Sequence, residues 1–114
     1  MPQYLMLAFS QPLEGRDEEF NDWYDNVAMP VYRSLPGVTC LGRFKSLPHT
    51  GYEFEMDLEF GYVSVYLHET DDFDRHFSQI MEILEKATAE GNYHFSDTID
   101  KTHFFEPLFV KLGD

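Results

Sequence analysis

Phe20-Asn21-Asp22-Trp23-Tyr24-Asp25-Asn26-Val27-Ala28-Met29-Pro30, closed by Leu35-Pro36-Gly37, is the stretch on which the fold turns. Phe20, Trp23, Tyr24, Val27 and Val31 recur at i, i+3, i+4, i+7 and i+11, which is one apolar stripe along a helix. Asn21, Asp22, Asp25 and Asn26 fall off that stripe. Asp17, Glu18 and Glu19 come just before it, in a first turn where carboxylates meet the positive end of a helix. Pro30 has no backbone donor, so the sequence predicts a kink or a second short helical piece there. Leu35-Pro36-Gly37 stops the helix.

Upstream, residues 3–9 form a short apolar run ending at Ser10-Gln11-Pro12, read as a strand covered on both faces. Downstream, residues 38–46 read as a second strand and residues 48–51 as a turn. The acidic stretch 53–59 alternates carboxylates with apolar residues. Before Gly61 the even positions are apolar (Phe54, Met56, Leu58, Phe60), and after it the odd ones are aliphatic (Val63, Val65, Leu67). One straight strand would change its apolar face midway, which predicts a break or bulge near Gly61. A third strand then covers residues 60–69, and the acidic stretch is a loop or an irregular ribbon.

Thr70, Asp71 and Asp72 offer caps for a second helix with the stripe Phe73, Phe77, Ile80, Leu84 and Ala87. Gly91-Asn92 ends it. Residues 93–100 are a connector with at most one helical turn. Residues 102–112 are a fourth strand, and Pro107 within it argues for an edge position or a bulge. The order is β-α-β-β-α-β, so residues 1–114 read as a single α+β domain. This is the ferredoxin-like split βαβ plan, with a four-stranded antiparallel sheet and right-handed crossovers. Two helices cover one face of such a sheet, and the bare face predicts a homodimer.

The net charge of −13 repels phosphate backbones and anionic bilayers, which disfavours nucleic-acid and membrane partners. Apolar residues make up 43% and aromatics 17% of the chain, a surplus that points to a ligand cavity or a subunit interface. Cys40, the single cysteine, cannot form an intramolecular disulfide and reads as a buried, inert thiol in a reducing compartment. The N-terminal run lacks a basic flank and is too short to span a bilayer, so a cytoplasmic protein is expected.

The quoted stretch, with Arg43-Phe44, resembles the dimeric α/β-barrel superfamily, and within it the EthD-type branch with its F-N-x-W-Y-D-x-x-H-x-P … P-G signature. The resemblance implies two ferredoxin-like chains pairing into a barrel. It also implies kinship with cofactor-independent oxygenases and cyclases of polyketide-like aromatics, degradative enzymes, and members of no known activity. Ala28 stands where the signature has His, and a methyl group cannot transfer a proton or donate a hydrogen bond. That leaves three readings: chemistry moved to other residues, conversion to a binder, or an introduced His-to-Ala change. The resemblance makes Asp25 a carboxylate supporting the missing imidazole. Without that partner, Asp25 caps the helix or pairs with Arg43 or Arg33.

The strongest candidate site is on the third strand, where Tyr62, Ser64, Tyr66 and His68 share one face. If Val63, Val65 and Leu67 meet the helices, the polar face looks into the dimer barrel. His68 then serves as general base, with Tyr66 or Tyr62 as acid or orienting donor. The alternative is that the tyrosines fill an interface and His68 sits at a wet strand end. His103 on the fourth strand is a further catalytic candidate. Ser64, Trp23, Tyr24, Asp25, Arg43 and Phe105 complete the ligand-binding set, although Trp23 and Tyr24 sit on the helix stripe and read first as core. His49, His76 and His94 read as peripheral.

His94, Asp97 and Asp100 are too sparse to predict a metal site, and no Gly-rich phosphate loop, nucleophile elbow or CxxC motif predicts a cofactor. The sequence thus points to a cofactor-independent enzyme of small hydrophobic or aromatic intermediates, of oxygenase, cyclase or dehydratase type. Natural-product biosynthesis or aromatic catabolism is the expected setting. A non-catalytic binder, chaperone or accessory subunit is the alternative, and a ligand-free structural domain the third reading.

Overall fold

The computed structural model describes residues 1–47, 60–103 and 108–113, with backbone alone at 101–103. Among the described residues five strands and two helical segments follow one another: β1 (Gln3–Pro12), α1 (residues 17–32), β2 (Val38–Lys45), β3 (Tyr62–Glu69), α2 (Phe73–Ala89), β4 (Ile99–His103) and β5 (Leu108–Val110). All strand pairings are antiparallel. The sheet runs β2-β3-β1-β4, and β5 also pairs with β1. Among the described residues no helix is long and apolar enough to cross a membrane.

Segment α1 is α-helical over Asp17–Trp23, π-helical over Tyr24–Ala28 and α-helical again over Met29–Tyr32. The cause lies in Pro30, which has no N–H to give to the carbonyl four residues back. The Met29 N–H reaches the Tyr24 carbonyl instead, five residues back, and the turn widens. The wide turn also advances the buried stripe. Phe20, Trp23 and Tyr24 are buried as expected, but Ala28 and Met29 follow them, and Val27 and Val31 stay half-buried. At the end of α1, Gly37 takes φ +70°, and a Cβ there would lie 2.9 Å from the Glu69 carbonyl and 3.0 Å from Cε1 of His76.

Helix α2 is capped as its sequence predicts. The Asp72 carboxylate accepts the Arg75 N–H at 3.1 Å. At the other end Gly91 turns to φ +79°, while the Asn92 and Gly91 N–H groups return to the Ala87 and Thr88 carbonyls, which is a Schellman closure.

Several expectations are corrected. In place of the single fourth strand over residues 102–112 there are two, β4 and β5, so among the described residues the sheet has five strands and not four. Between the Phe9–His103 and Met6–Leu108 pairs, β1 advances three residues and the returning chain five, so one continuous ladder cannot form. Pro107 lies outside the described residues, as does the acidic stretch. Strand β3 does begin directly after Gly61, but the bulge is in β2, where the register shifts between Cys40 and Gly42. Strand β1 is covered on one face only: Met6, Ala8 and Ser10 are buried, and Leu5, Leu7 and Phe9 are half-buried.

The two faces of the sheet thus differ. Met6, Ala8, Tyr62, Ser64, Tyr66 and His68 lie under the helices. Leu5, Leu7, Phe9, Val63, Val65 and Leu67 line the other face, where Phe44 and Phe109, paired with Val63 and Leu5, are 53% and 51% exposed.

Candidate functional site

The Tyr/Ser/His face of β3 points the opposite way from the expectation, toward α1 and α2. The physical reason is the size of the rings. Phe20, Trp23 and Tyr24 of α1 need broad aromatic neighbours, and Tyr62 supplies one at 5.0 Å from the Phe20 ring. The short aliphatics Val63, Val65 and Leu67 are left for the open face.

Between sheet and helices lies a cavity of about 350 Å³, within the range of small-molecule sites. The sheet contributes Met6, Ala8, Tyr66 and His68 to its lining, α1 contributes Tyr24 and Tyr32, and α2 contributes Phe77, Ile80, Met81 and Leu84. The connector after α2 closes it with Tyr93 and Phe95. The walls are tied together by polar tips on apolar bodies. The Tyr32 and Tyr93 hydroxyls bond at 2.8 Å, and the Trp23 Nε1–H donates to the His94 carbonyl at 2.8 Å. Burial pushes the Tyr32, Tyr66, Tyr24 and Tyr93 hydroxyls above the usual phenol range, so all four are neutral donors. The Ser10 and Ser64 hydroxyls beside Tyr24 offset part of this, although Ser10 Oγ is buried without a hydrogen-bond partner among the described residues.

His68 is 4% exposed, and its Nδ1 lies 2.9 Å from Nε2 of His76 on α2. Burial, and secondarily the neighbouring imidazole, brings its pKa down to about 4, while burial alone lowers that of His76. Both rings are therefore neutral at neutral pH. The second nitrogen of His68, Nε2, is buried with no partner among the described residues. His76, read from sequence as peripheral, is 7% exposed and half of this pair. The signal was present in its place on the helix, three residues after Phe73 and four before Ile80, on the same stripe.

The other sequence candidates separate from the cavity. Tyr62 belongs to the α1 core and gives its hydroxyl to Asp17 at 2.7 Å. Ser64 is buried beneath Tyr24 and Tyr66. Arg43 stacks 3.9 Å above the Tyr24 ring and donates to Asn21 at 2.9 Å. Asp25 approaches Arg43 only to 4.0 Å with its side chain 69% exposed, a weak pair. Ala28 is fully enclosed among Phe20, Trp23 and Tyr24. His103 lies opposite Phe9 in the sheet register. Phe105 and His49 lie outside the described residues. Cys40 is a free, half-buried thiol whose pKa burial raises. His94 is exposed, and among the described residues no group of three His, Cys, Asp or Glu side chains is arranged to hold a metal ion.

No family model matches the chain, and no curated protein matches it. Among solved structures, the crystal structure of protein Atu4242 from Agrobacterium tumefaciens is similar, with a TM-score of 0.50 at 12% identity over 98% of this chain and 93% of that one. At that identity the likeness shows a shared small α/β fold.

The depressed His68 pKa has a consequence for stability. The unfolded imidazole titrates near 6.5 and the folded one near 4, so between those values the unfolded chain binds the extra proton. The stability that the neutral ring provides is complete above the unfolded value and is lost as pH falls toward the folded one; His76 acts in the same direction. Urea unfolding at neutral pH and midway between the two values tests this. The acid-induced loss should be smaller in His68→Phe than in the unaltered chain, and equal losses would contradict the assignment.

Proposed function

We propose that this chain takes a small, uncharged, aromatic molecule into the sheet–helix cavity and acts on it without a cofactor. The reaction class is that of the oxygenases, cyclases and dehydratases of natural-product biosynthesis or aromatic catabolism. The observation that carries this reading is the cavity itself, an apolar space lined by Tyr24, Tyr32, Tyr66 and Tyr93, with His68 in its sheet wall and Nε2 of that ring without a partner among the described residues. Phenol donors and a neutral imidazole on apolar walls suit a flat, oxygenated ligand. Among the described residues Glu85 is the one charged residue of the lining, and the chain carries a net charge of −13, so an anionic ligand meets no cation there and a repulsive field. His68 acts as general base and Tyr66, two residues along β3, as donor to the ligand oxygen.

The sheet order and the alternation of strands and helices support a ferredoxin-like plan, with β4 and β5 sharing the role of the last strand. The motif of α1 supports the EthD-like, dimeric α/β-barrel assignment. The half-buried aliphatic face with Phe44 and Phe109 supports a homodimer formed sheet to sheet. The free thiol of Cys40 fits a cytoplasmic setting. A second reading, a non-catalytic carrier or accessory subunit, is favoured by Ala28 in the place of the signature histidine.

Thermal unfolding with β-naphthol and β-naphthoate tests the ligand class. The neutral naphthol should raise Tm and the carboxylate should not; a rise with naphthoate alone would overturn the reading. Sedimentation should show a dimer, and a stable monomer would contradict the sheet-to-sheet pairing.

A further inference from the structure

We infer that His68 and His76 form a proton path from the cavity to the solvent, with Nε2 of His68 as the acceptor for an enolisable or phenolic ligand. This rests on the cavity reading above and goes beyond it, because it assigns a role to His76, which does not line the cavity.

Three observations carry it. First, the inner end is an unsatisfied acceptor. His68 lines the cavity, and its Nε2 is buried without a partner among the described residues. Leaving a buried polar nitrogen unsatisfied is costly, and a ligand hydrogen at this place would remove that cost. Second, the link is direct, since Nδ1 of His68 and Nε2 of His76 are 2.9 Å apart. Third, the outer end faces the exposed turn after α1. A Cβ at Gly37 would lie 3.0 Å from Cε1 of His76 and 3.5 Å from its Nδ1. Glycine therefore leaves that edge of the ring uncovered, whereas any other side chain would close it.

The transfer balances without a co-reactant. At the start each ring is neutral and carries its proton on Nδ1. The ligand C–H or O–H bond breaks, its electron pair stays on the ligand, and the proton goes to Nε2 of His68. The Nδ1 proton of His68 passes to Nε2 of His76, and the Nδ1 proton of His76 passes to water. Both rings end neutral with their protons on Nε2, and reversal resets them. The groups around the pair fit such a handover. Phe73 packs against both rings, and among the described residues no carboxylate is bonded to either ring to trap the charge.

Deuterium uptake by β-tetralone, a neutral bicyclic ketone, is the test. In heavy water the unaltered protein should exchange the hydrogens between its carbonyl and ring faster than buffer does. His68→Gln should fall to the buffer rate, a loss of about a hundredfold or more for a general base. His76→Gln keeps a hydrogen bond to His68 but cannot relay a proton. It should bind β-tetralone as tightly and exchange it at least about tenfold more slowly, since the proton now has no outlet. Full exchange in His76→Gln would overturn the relay, and full exchange in His68→Gln would overturn the acceptor as well. If β-tetralone fails to bind, the cavity reading falls. The relay is then decided by nitrogen NMR of the imidazoles in the unaltered, ligand-free chain, which also covers the case of a variant that does not fold. The expected state is a neutral pair with His68 protonated on Nδ1. A proton fixed on Nε2 of His68, or a charged pair at neutral pH, would overturn the proposal.

Discussion

Pro30 has no backbone hydrogen to give, and much of the molecule depends on that. The helix ahead of it cannot continue with regular bonding, so Met29 bonds to Tyr24 and a π turn opens over Tyr24–Ala28. The wider turn rotates the rest of α1. Ala28 and Met29 turn inward, and Tyr32 arrives above the sheet with its ring edge-on to Tyr66 at 5.8 Å. From there its hydroxyl reaches Tyr93. The wall of the cavity is thus built by a residue that is not part of its lining.

The cavity stays open because its frame is tied at the rims rather than packed through the middle. Trp23 to His94 and Tyr32 to Tyr93 fix α1 to the connector after α2, and Tyr62 to Asp17 fixes it to β3. Each such bond contributes on the order of 1 kcal/mol net. Beneath them, Phe20 and Tyr24 pack edge to face at 5.1 Å, with the Arg43 guanidinium over Tyr24. These contacts consume the part of the aromatic stripe that faces away from α2. On the other side, α2 presents His76 and Ile80 as its buried residues, and the cavity lies between α2 and the sheet.

Much of this was legible in the sequence where local rules act alone. The caps of α2 and the stop at Gly37 are local features that stand where their residues predicted, while β3 starts two residues later than expected and the break expected at Pro30 opens just ahead of it, over Tyr24–Ala28. Two kinds of feature were not legible. The first is direction. Period-two alternation separates Tyr62, Ser64, Tyr66 and His68 from Val63, Val65 and Leu67, but it does not say which set meets the helices. That depends on the ring volume presented by α1, a tertiary matter. The second is phase. A π turn shifts the stripe by a residue, so Val31 was expected inside and Met29 was not. His76 was missed for a simpler reason: a stripe counted in apolar residues passes over a histidine that is buried and neutral. Of the candidate site residues, Tyr66, His68 and Tyr24 meet at one cavity, while Tyr62, Ser64 and Arg43 belong to its support.

The proposed chemistry rests on an apolar space with a buried acceptor, Nε2 of His68, that has no partner among the described residues. A crystal structure with β-naphthol tests that claim most directly. The naphthol should lie between the sheet and α2 with its hydroxyl within hydrogen-bond distance of Nε2 of His68. A naphthol seated on the open aliphatic face, or a cavity filled by its own side chains with Nε2 turned to another residue, would contradict it.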